Sequence, residues 1–203
     1  MKQFTPIKNN SYTFSNCNSC EARCCDGKLG SVFSQVILSD FEENYKNFPI
    51  LFTFGDLGYL KPVIILSNGV DFCKYIENHK CTIYDKRPSI CRAYPLSINI
   101  DNQVYIDTFC PAINDKKEDF KLITKSSKVQ KDFDNKIFYE YQDKYIKTFY
   151  EFESFNKKED FTLAITLKGM NFFKYNKSST NKYMKMHLES LKHLEHSYFK
   201  DLN

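Results

Sequence analysis

Eight cysteines carry the chemistry available to this chain, and all lie between Cys17 and Cys110. They read Cys17-x2-Cys20-x3-Cys24-Cys25, then Cys73-x7-Cys81-x9-Cys91-x18-Cys110-Pro111. The start of the chain, Met1 to Asn16, lacks the charged-then-apolar pattern of a secretory signal, so a cytoplasmic location is expected. Thiols stay reduced there, and a clustered, even set of them points to metal ligation over a disulfide framework. Cys17-x2-Cys20 supplies the bite that brings two sulfurs onto one ion, and Cys24 can add a third vertex. Eight thiolates suffice for two four-thiolate centres. One centre plus reactive or packing thiols fits the count equally well.

Arginine usage sharpens the reading. Of 29 Lys+Arg only Arg23, Arg87 and Arg92 are arginine, and each lies next to or within four residues of a cysteine. A planar five-donor guanidinium can hydrogen-bond thiolate or sulfide acceptors in a way an ammonium cannot. All three are therefore expected around the centre, where they would offset its negative charge. The Cys-x2-Cys bite favours zinc, whereas Cys110-Pro111 and the guanidiniums favour iron or an iron–sulfur cluster.

Taken together, these residues resemble the cysteine-cluster family of zinc- or iron-chelating proteins (YkgJ type), whose domain also forms the front of flagellin lysine-N-methylases. The resemblance covers roughly residues 15 to 112. Its most specific stretch is Cys81-x-Ile83-Tyr84-x2-Arg87-Pro88-x2-Cys91-Arg92-x-Tyr94-Pro95, followed by Cys110-Pro111. It implies that all eight cysteines are metal ligands and that Arg87, Arg92 and Tyr94 belong to the site. It also implies an alternative: a methylase-like enzyme acting on protein lysine side chains, with S-adenosylmethionine as cofactor and a structural metal cluster. Residues 113–203 carry no motif that matches those methylases. Gly55-Asp-Leu-Gly58 lacks the third glycine of a dinucleotide-type loop. A second alternative is a zinc-ribbon-like adaptor for protein or RNA.

Other candidates carry less. His79, two residues before Cys81, could replace a thiolate, and His193 and His196 share a helix face at i, i+3. Cys25 beside Arg23 is a candidate nucleophile, although no cysteine stands apart from the cluster. Asp85 and Asp107 are the nearest carboxylates in sequence, and no acid pair for hydrolysis is evident.

The elements that must position these groups follow from composition and periodicity. At 203 residues, 42% hydrophobic and 16% aromatic, the chain can bury a core without staples. No run approaches the ~20 apolar residues of a membrane span, so no membrane partner is expected. The net charge of +4 lies wholly beyond residue 110, and its lysines alternate with acids, which argues against nucleic acid. Partners are therefore the metal ion or cluster, with a protein partner or substrate under the alternatives.

A β-run is expected over Ser31–Leu38, and a capping box at Ser39-Asp-Phe-Glu42 should start a short helix ending before Pro49. A strand follows over Pro62–Leu66, closed by the Asn68-Gly69 turn that delivers Cys73. Pro88 suits the start of a short helix ended by Pro95, and Leu96–Ile100 with Val104–Ile106 reads as a hairpin. From Asn114 onward the pattern reads as helical, with helices over Val129–Phe155 (apolar stripe Phe133, Ile137, Tyr141, Tyr145, Phe149 and Phe152), Glu159–Tyr175 and Ser179–Phe199. The expected fold is thus α+β: a small, irregular cysteine-rich metal-binding head with short strands over 1–112, backed by a mostly α-helical C-terminal half over 113–203.

Overall fold

The computed structural model of the protein describes residues 2–17, 20–29, 32–55, 58–98, 103–114, 120–130 and 135–194. Its centre is an antiparallel sheet built from two apolar runs rich in Ile, Val and Phe, the composition that suits a pleated buried surface. These are β4 (Ile50–Phe54) and β5 (Leu60–Ile65), paired in register from Ile50↔Ile64 to Phe54↔Leu60. β3 (Phe33–Gln35) adds to the outer side of β5.

On the other side the expected helix over Glu159–Tyr175 is instead a hairpin of β12 (Phe161–Leu167) and β13 (Met170–Tyr175). Its strands carry Thr162, Ile165, Thr166, Phe172, Phe173 and Tyr175, side chains that lose rotamer freedom in a helix and pack well on a sheet. They meet at Lys168-Gly169, with φ of 49° and 78°, the left-handed pair that a tight hairpin turn requires. Phe173 pairs with Phe52, so the sheet runs β12-β13-β4-β5-β3.

A second correction concerns the stretch after Asn114. Its described part forms β10 (Lys121–Lys125) and β11 (Lys128–Val129), joined to β2 (Tyr12–Phe14) near the start of the chain. A third sheet joins β1 (Phe4–Pro6) to β9 (Val104–Asp107) and β8 (Leu96–Ile98), which includes the hairpin read from sequence. A two-stranded ribbon, β6 (Ile76–Glu77) with β7 (Lys80–Cys81), completes the strands. The expected division into a cysteine-rich head and a helical half is therefore overturned. Two sheets join strands from 1–112 to strands from 113–203, and the C-terminal part holds four strands beside its helices among the described residues.

The α-helices among the described residues include α1 (Phe41–Asn44), α2 (Ser89–Ala93), α3 (Asn135–Phe152) and α4 (Lys182–Ser190), and residues 192–194 are helical as well. α3 lies within the expected helix, and its buried stripe is Phe138, Tyr141, Tyr145, Thr148 and Phe152. Phe149, expected on that stripe, gives way to Thr148, whose hydroxyl accepts the Leu38 N–H at 2.9 Å. Phe133, also expected there, lies outside the described residues. α4 starts a few residues after the expected Ser179, where the Asn181 side chain accepts the N–H groups of Tyr183 and Met184, and the end of the expected helix lies outside the described residues. No helix among the described residues is long and apolar enough to cross a membrane.

One buried polar group ties α4 to the sheet. His187 is fully buried, its Nε2 accepts the Tyr175 N–H at 3.0 Å, and its Nδ1 faces the Ile50 carbonyl at 2.6 Å. The ring is neutral, donating from Nδ1 and accepting at Nε2. Burial, assisted by nearby Lys174, holds its pKa down to about 4 against an ordinary 6.5. Because the folded value is depressed, the unfolded chain binds the extra proton first as pH falls. Stability from this group is complete above about pH 6.5 and is lost progressively towards pH 4, by about 3 kcal/mol in all. The stability gap between the native protein and a His187→Gln variant should therefore be widest at pH 7 and shrink by about that amount near pH 4. Urea unfolding at both pH values measures it, and a gap that stays constant would refute the neutral buried assignment.

Candidate functional site

Four chain segments bring the cysteines together, each held by backbone hydrogen bonds. The first is the tight turn Arg23–Cys25, entered through Ala22 at φ 54°. It is zipped to the Cys73 segment: the Cys73 N–H donates to the Cys25 carbonyl at 2.9 Å, and the Gly27 N–H donates to the Asp71 carbonyl at 3.0 Å. Asn68 shapes the preceding turn, its side chain accepting the N–H groups of Val70 and Asp71.

The β6–β7 ribbon then reverses through Asn78 and His79, both at positive φ, and sets Cys81 opposite Ile76. α2 carries Cys91. Its start is capped from a distance, since the Asp40 carboxylate accepts both the N–H (2.6 Å) and the hydroxyl (2.9 Å) of Ser89. The capping box expected at Ser39–Glu42 does not form: Ser39 lies inside the tight turn Leu38–Asp40, the N-cap of α1 is Asp40, and Asp40 makes no side-chain bond to that helix. Cys110 follows β9, and the Ser15 N–H, near Cys17, donates to Ala112 beside it.

These segments enclose a cavity of about 870 Å³. Every cysteine except Cys110 lines it, together with Lys2, Lys61, Lys80 and Arg87, and no Asp or Glu is among its described lining residues. No three Cys, His, Asp or Glu side chains among the described residues converge closely enough to hold an ion as they stand. Cys24 and Cys25, adjacent in sequence, lie with Sγ atoms 3.6 Å apart. All eight cysteines are free thiols.

Five of the thiols are held protonated. Burial pushes Cys73 and Cys110 up to about 11 and Cys91 to about 12, and it also raises Cys17. Cys24 is raised chiefly by its hydrogen bond to Cys25 and then by burial. The positive charges of Lys2 and Arg87 act in the opposite sense on Cys24 and Cys91. Cys110 feels Cys17 and Cys20, so it belongs to the same electrostatic neighbourhood although it does not line the cavity.

The other expected site residues divide clearly. Arg87 lines the cavity, its guanidinium stacked 3.4 Å from the centre of the Tyr84 ring and its Nε donating to the Tyr84 carbonyl. Arg92 turns away, donating at 3.0 Å to the Ser89 hydroxyl that is held by Asp40. Arg23 is exposed and lines a small cleft with Tyr94 and Asp107. Tyr94 lines the cavity, donates to Asp107 at 2.9 Å and hydrogen-bonds the Cys110 thiol.

Asp107, singled out in the sequence only as a nearby carboxylate, is an organiser. Buried after β9, it accepts from Tyr94, from the Gln3 N–H and from the Phe109 N–H, locking strand β1 and the Cys110 turn together. Asp85 makes no such set of contacts and is exposed. His79 lines the cavity from the ribbon turn, edge-on to Phe72. His193 packs towards the carbonyls of Tyr45 and Lys46, away from the thiols, and His196 lies outside the described residues. Compared with known protein families, curated proteins and solved structures, the chain matches none.

Two outcomes test this geometry. A Cβ on Gly27 would meet the Asp71 carbonyl at 2.4 Å and the Ser67 Oγ at 2.5 Å, both across the zip. Gly27→Ala should therefore cost about 1–3 kcal/mol by thermal or urea unfolding and open the Cys25–Cys73 juxtaposition. Unchanged stability and unchanged thiol accessibility would contradict the close approach. Arg87→Lys, which keeps the charge but removes the planar fork, should weaken metal retention by about 10- to 100-fold. Arg92→Lys should instead lower stability through Ser89 and leave metal retention alone. Equal effects of the two on metal content would refute the division.

Proposed function

We propose that this protein binds a metal centre through its cysteine thiolates, with iron or an iron–sulfur cluster favoured over zinc. One observation carries the reading: seven of eight cysteines line a single cavity that also receives four cations and no described carboxylate. Carboxylates and carbonyls attract hard ions such as magnesium and calcium, whereas clustered soft thiolates select zinc and iron–sulfur centres. Cations near the sulfurs offset the negative charge that thiolate ligation accumulates. The space favours a cluster over a bare ion, which is no larger than a single water of about 30 Å³.

The residues fit such a group by donor type, and Cys24, Cys25, Cys73 and Cys91 are the ligands best supported by mutual proximity. A bound centre would supply charge, and with iron, redox capacity. The protein's own groups define the rest. Arg87 and Lys2 lower the cost of forming thiolates at Cys24 and Cys91, and Tyr94, its hydroxyl proton given to Asp107, places its oxygen against the Cys110 thiol. No three ligands among the described residues converge as they stand, so binding would draw the cysteine segments inward and couple metal affinity to folding free energy.

Anaerobically purified protein should contain stoichiometric iron with acid-labile sulfide and a visible charge-transfer spectrum. Its melting temperature should fall after chelation and in a Cys73→Ser/Cys91→Ser double variant. Protein loaded only with zinc, colourless and sulfide-free, would replace iron by zinc. Metal-free protein with eight freely titrating thiols and unchanged melting would overturn the proposal.

A further inference from the structure

The outer edge of the central sheet lies away from the cysteines and has a chemistry of its own. β12 ends the order β12-β13-β4-β5-β3, and among the described residues no backbone hydrogen bond reaches it from outside its own hairpin. Edge strands that stay solitary carry lysine, proline or an inward charge that stops another strand from pairing with them. β12 reads Phe161-Thr-Leu-Ala-Ile-Thr-Leu167, with no charge and no proline. Thr162, Leu163 and Thr166 are exposed on it, Leu163 by 54%.

The direction of its free backbone groups follows from the turn. A two-residue turn such as Lys168-Gly169 is closed by a pair that exchanges both hydrogen bonds, here Leu167 and Met170. Alternation then points the Thr166 N–H and C=O outward and those of Ile165 inward. Between Leu163 and Ile165 the register shifts, and Ala164 is the extra residue of a bulge. On β13 the next residue, Phe173, lies opposite Leu163, so that pair is again non-hydrogen-bonded and Leu163 faces outward. The outward groups of Leu163 and Thr166 are therefore three residues apart, where a regular strand would space them by two.

That interval selects the occupant. A regular strand can pair on one side of the bulge but falls out of step on the other. A second β12, running antiparallel, presents the same interval in reverse. Leu163 then meets Thr166 of the second copy, Thr166 meets its Leu163, and each pair exchanges both hydrogen bonds about a two-fold axis between Ala164 and Ile165. In this register Thr162 neighbours Leu167 and Ala164 neighbours Ile165 across the axis, and no like charges are opposed.

We infer that β12 is a self-association surface, through which two copies of this chain pair antiparallel and join their central sheets into one. Each sheet then keeps only the short β3 as an edge. The inference is independent of the metal-centre reading.

Sedimentation equilibrium of the full chain from about 10 µM to about 1 mM should show a monomer–dimer equilibrium. Amide exchange followed by NMR should find Ile165 and Leu167 protected at every concentration, through β13. Leu163 and Thr166 should become protected only as the dimer forms. The register is tested by charge. L163K/T166K and L163E/T166E each set like charges opposite one another in both symmetry-related pairs, so each should self-associate roughly tenfold or more weakly. Mixed one to one, they should form a heterodimer in which every Lys meets a Glu. L163K/T166E meets the same condition with its own copy and should dimerise alone. Thermal melting of each variant separates lost pairing from lost fold.

A chain that stays monomeric at about 1 mM, a dimer that both like-charge variants leave intact, or folded like-charge variants that do not associate on mixing would overturn the inference. A monomer in which the Leu163 and Thr166 amides are already protected would place another segment of the chain on this edge and overturn it too.

Discussion

The short antiparallel contact between Cys25–Gly27 and Asp71–Cys73 is the constraint on which the site depends. Two backbone hydrogen bonds and a side-chain-free glycine bring sequence positions almost fifty residues apart into van der Waals contact. Without that contact the vicinal pair Cys24–Cys25 would sit on a loop of its own, and Cys73 would belong to a different surface. The ribbon carrying Cys81 grows directly out of this junction, since the Ile76 N–H bonds the Cys73 carbonyl. The order of cysteines along the chain thus becomes an order around a cavity.

Two carboxylates finish the enclosure without touching it. Asp40 ends a tight turn after β3 and caps α2, which fixes the direction in which Cys91 points. Asp107 ends β9 and binds the first strand, the Cys110 turn and Tyr94 at once. Each is satisfied by several donors, the condition under which a buried carboxylate stabilises its surroundings. Keeping negative charge out of the cavity lining while using it behind the wall leaves a positive interior facing neutral thiols. That polarity lowers the cost of forming thiolates at Cys24 and Cys91.

The rigid sheet lies behind this assembly and is organised by apolar packing. Phe52 contacts Phe152, Phe161 and His187 edge-on, so one β4 side chain joins α3, β12 and α4. Its neighbour Ile50 offers its carbonyl to His187 and its N–H to Ser190. The edge strand β3 belongs to this sheet and also lines the cavity, so one cavity wall is part of the central sheet.

The sequence by itself determined the reactive inventory, the turns and the local hairpin. Asn68-Gly69, Pro88 and the alternation over residues 96–106 act through short-range backbone preferences, and those are written in adjacent residues. The aromatic residues of Glu159–Tyr175 satisfied a helical stripe and a strand alternation alike. Lys168-Gly169 was the local signal for a hairpin, and pairing of Phe173 with Phe52 decided it. Arginines adjacent to cysteines in sequence point in different directions in space, because Arg92 answers to Asp40 through Ser89 while Arg87 stacks on Tyr84. The roles of Asp40, Asp107 and His187 were likewise invisible, since each bonds a partner distant along the chain. Only the tertiary structure decided them, because hydrogen bonds between distant segments depend on where the chain returns, and no local spacing records that.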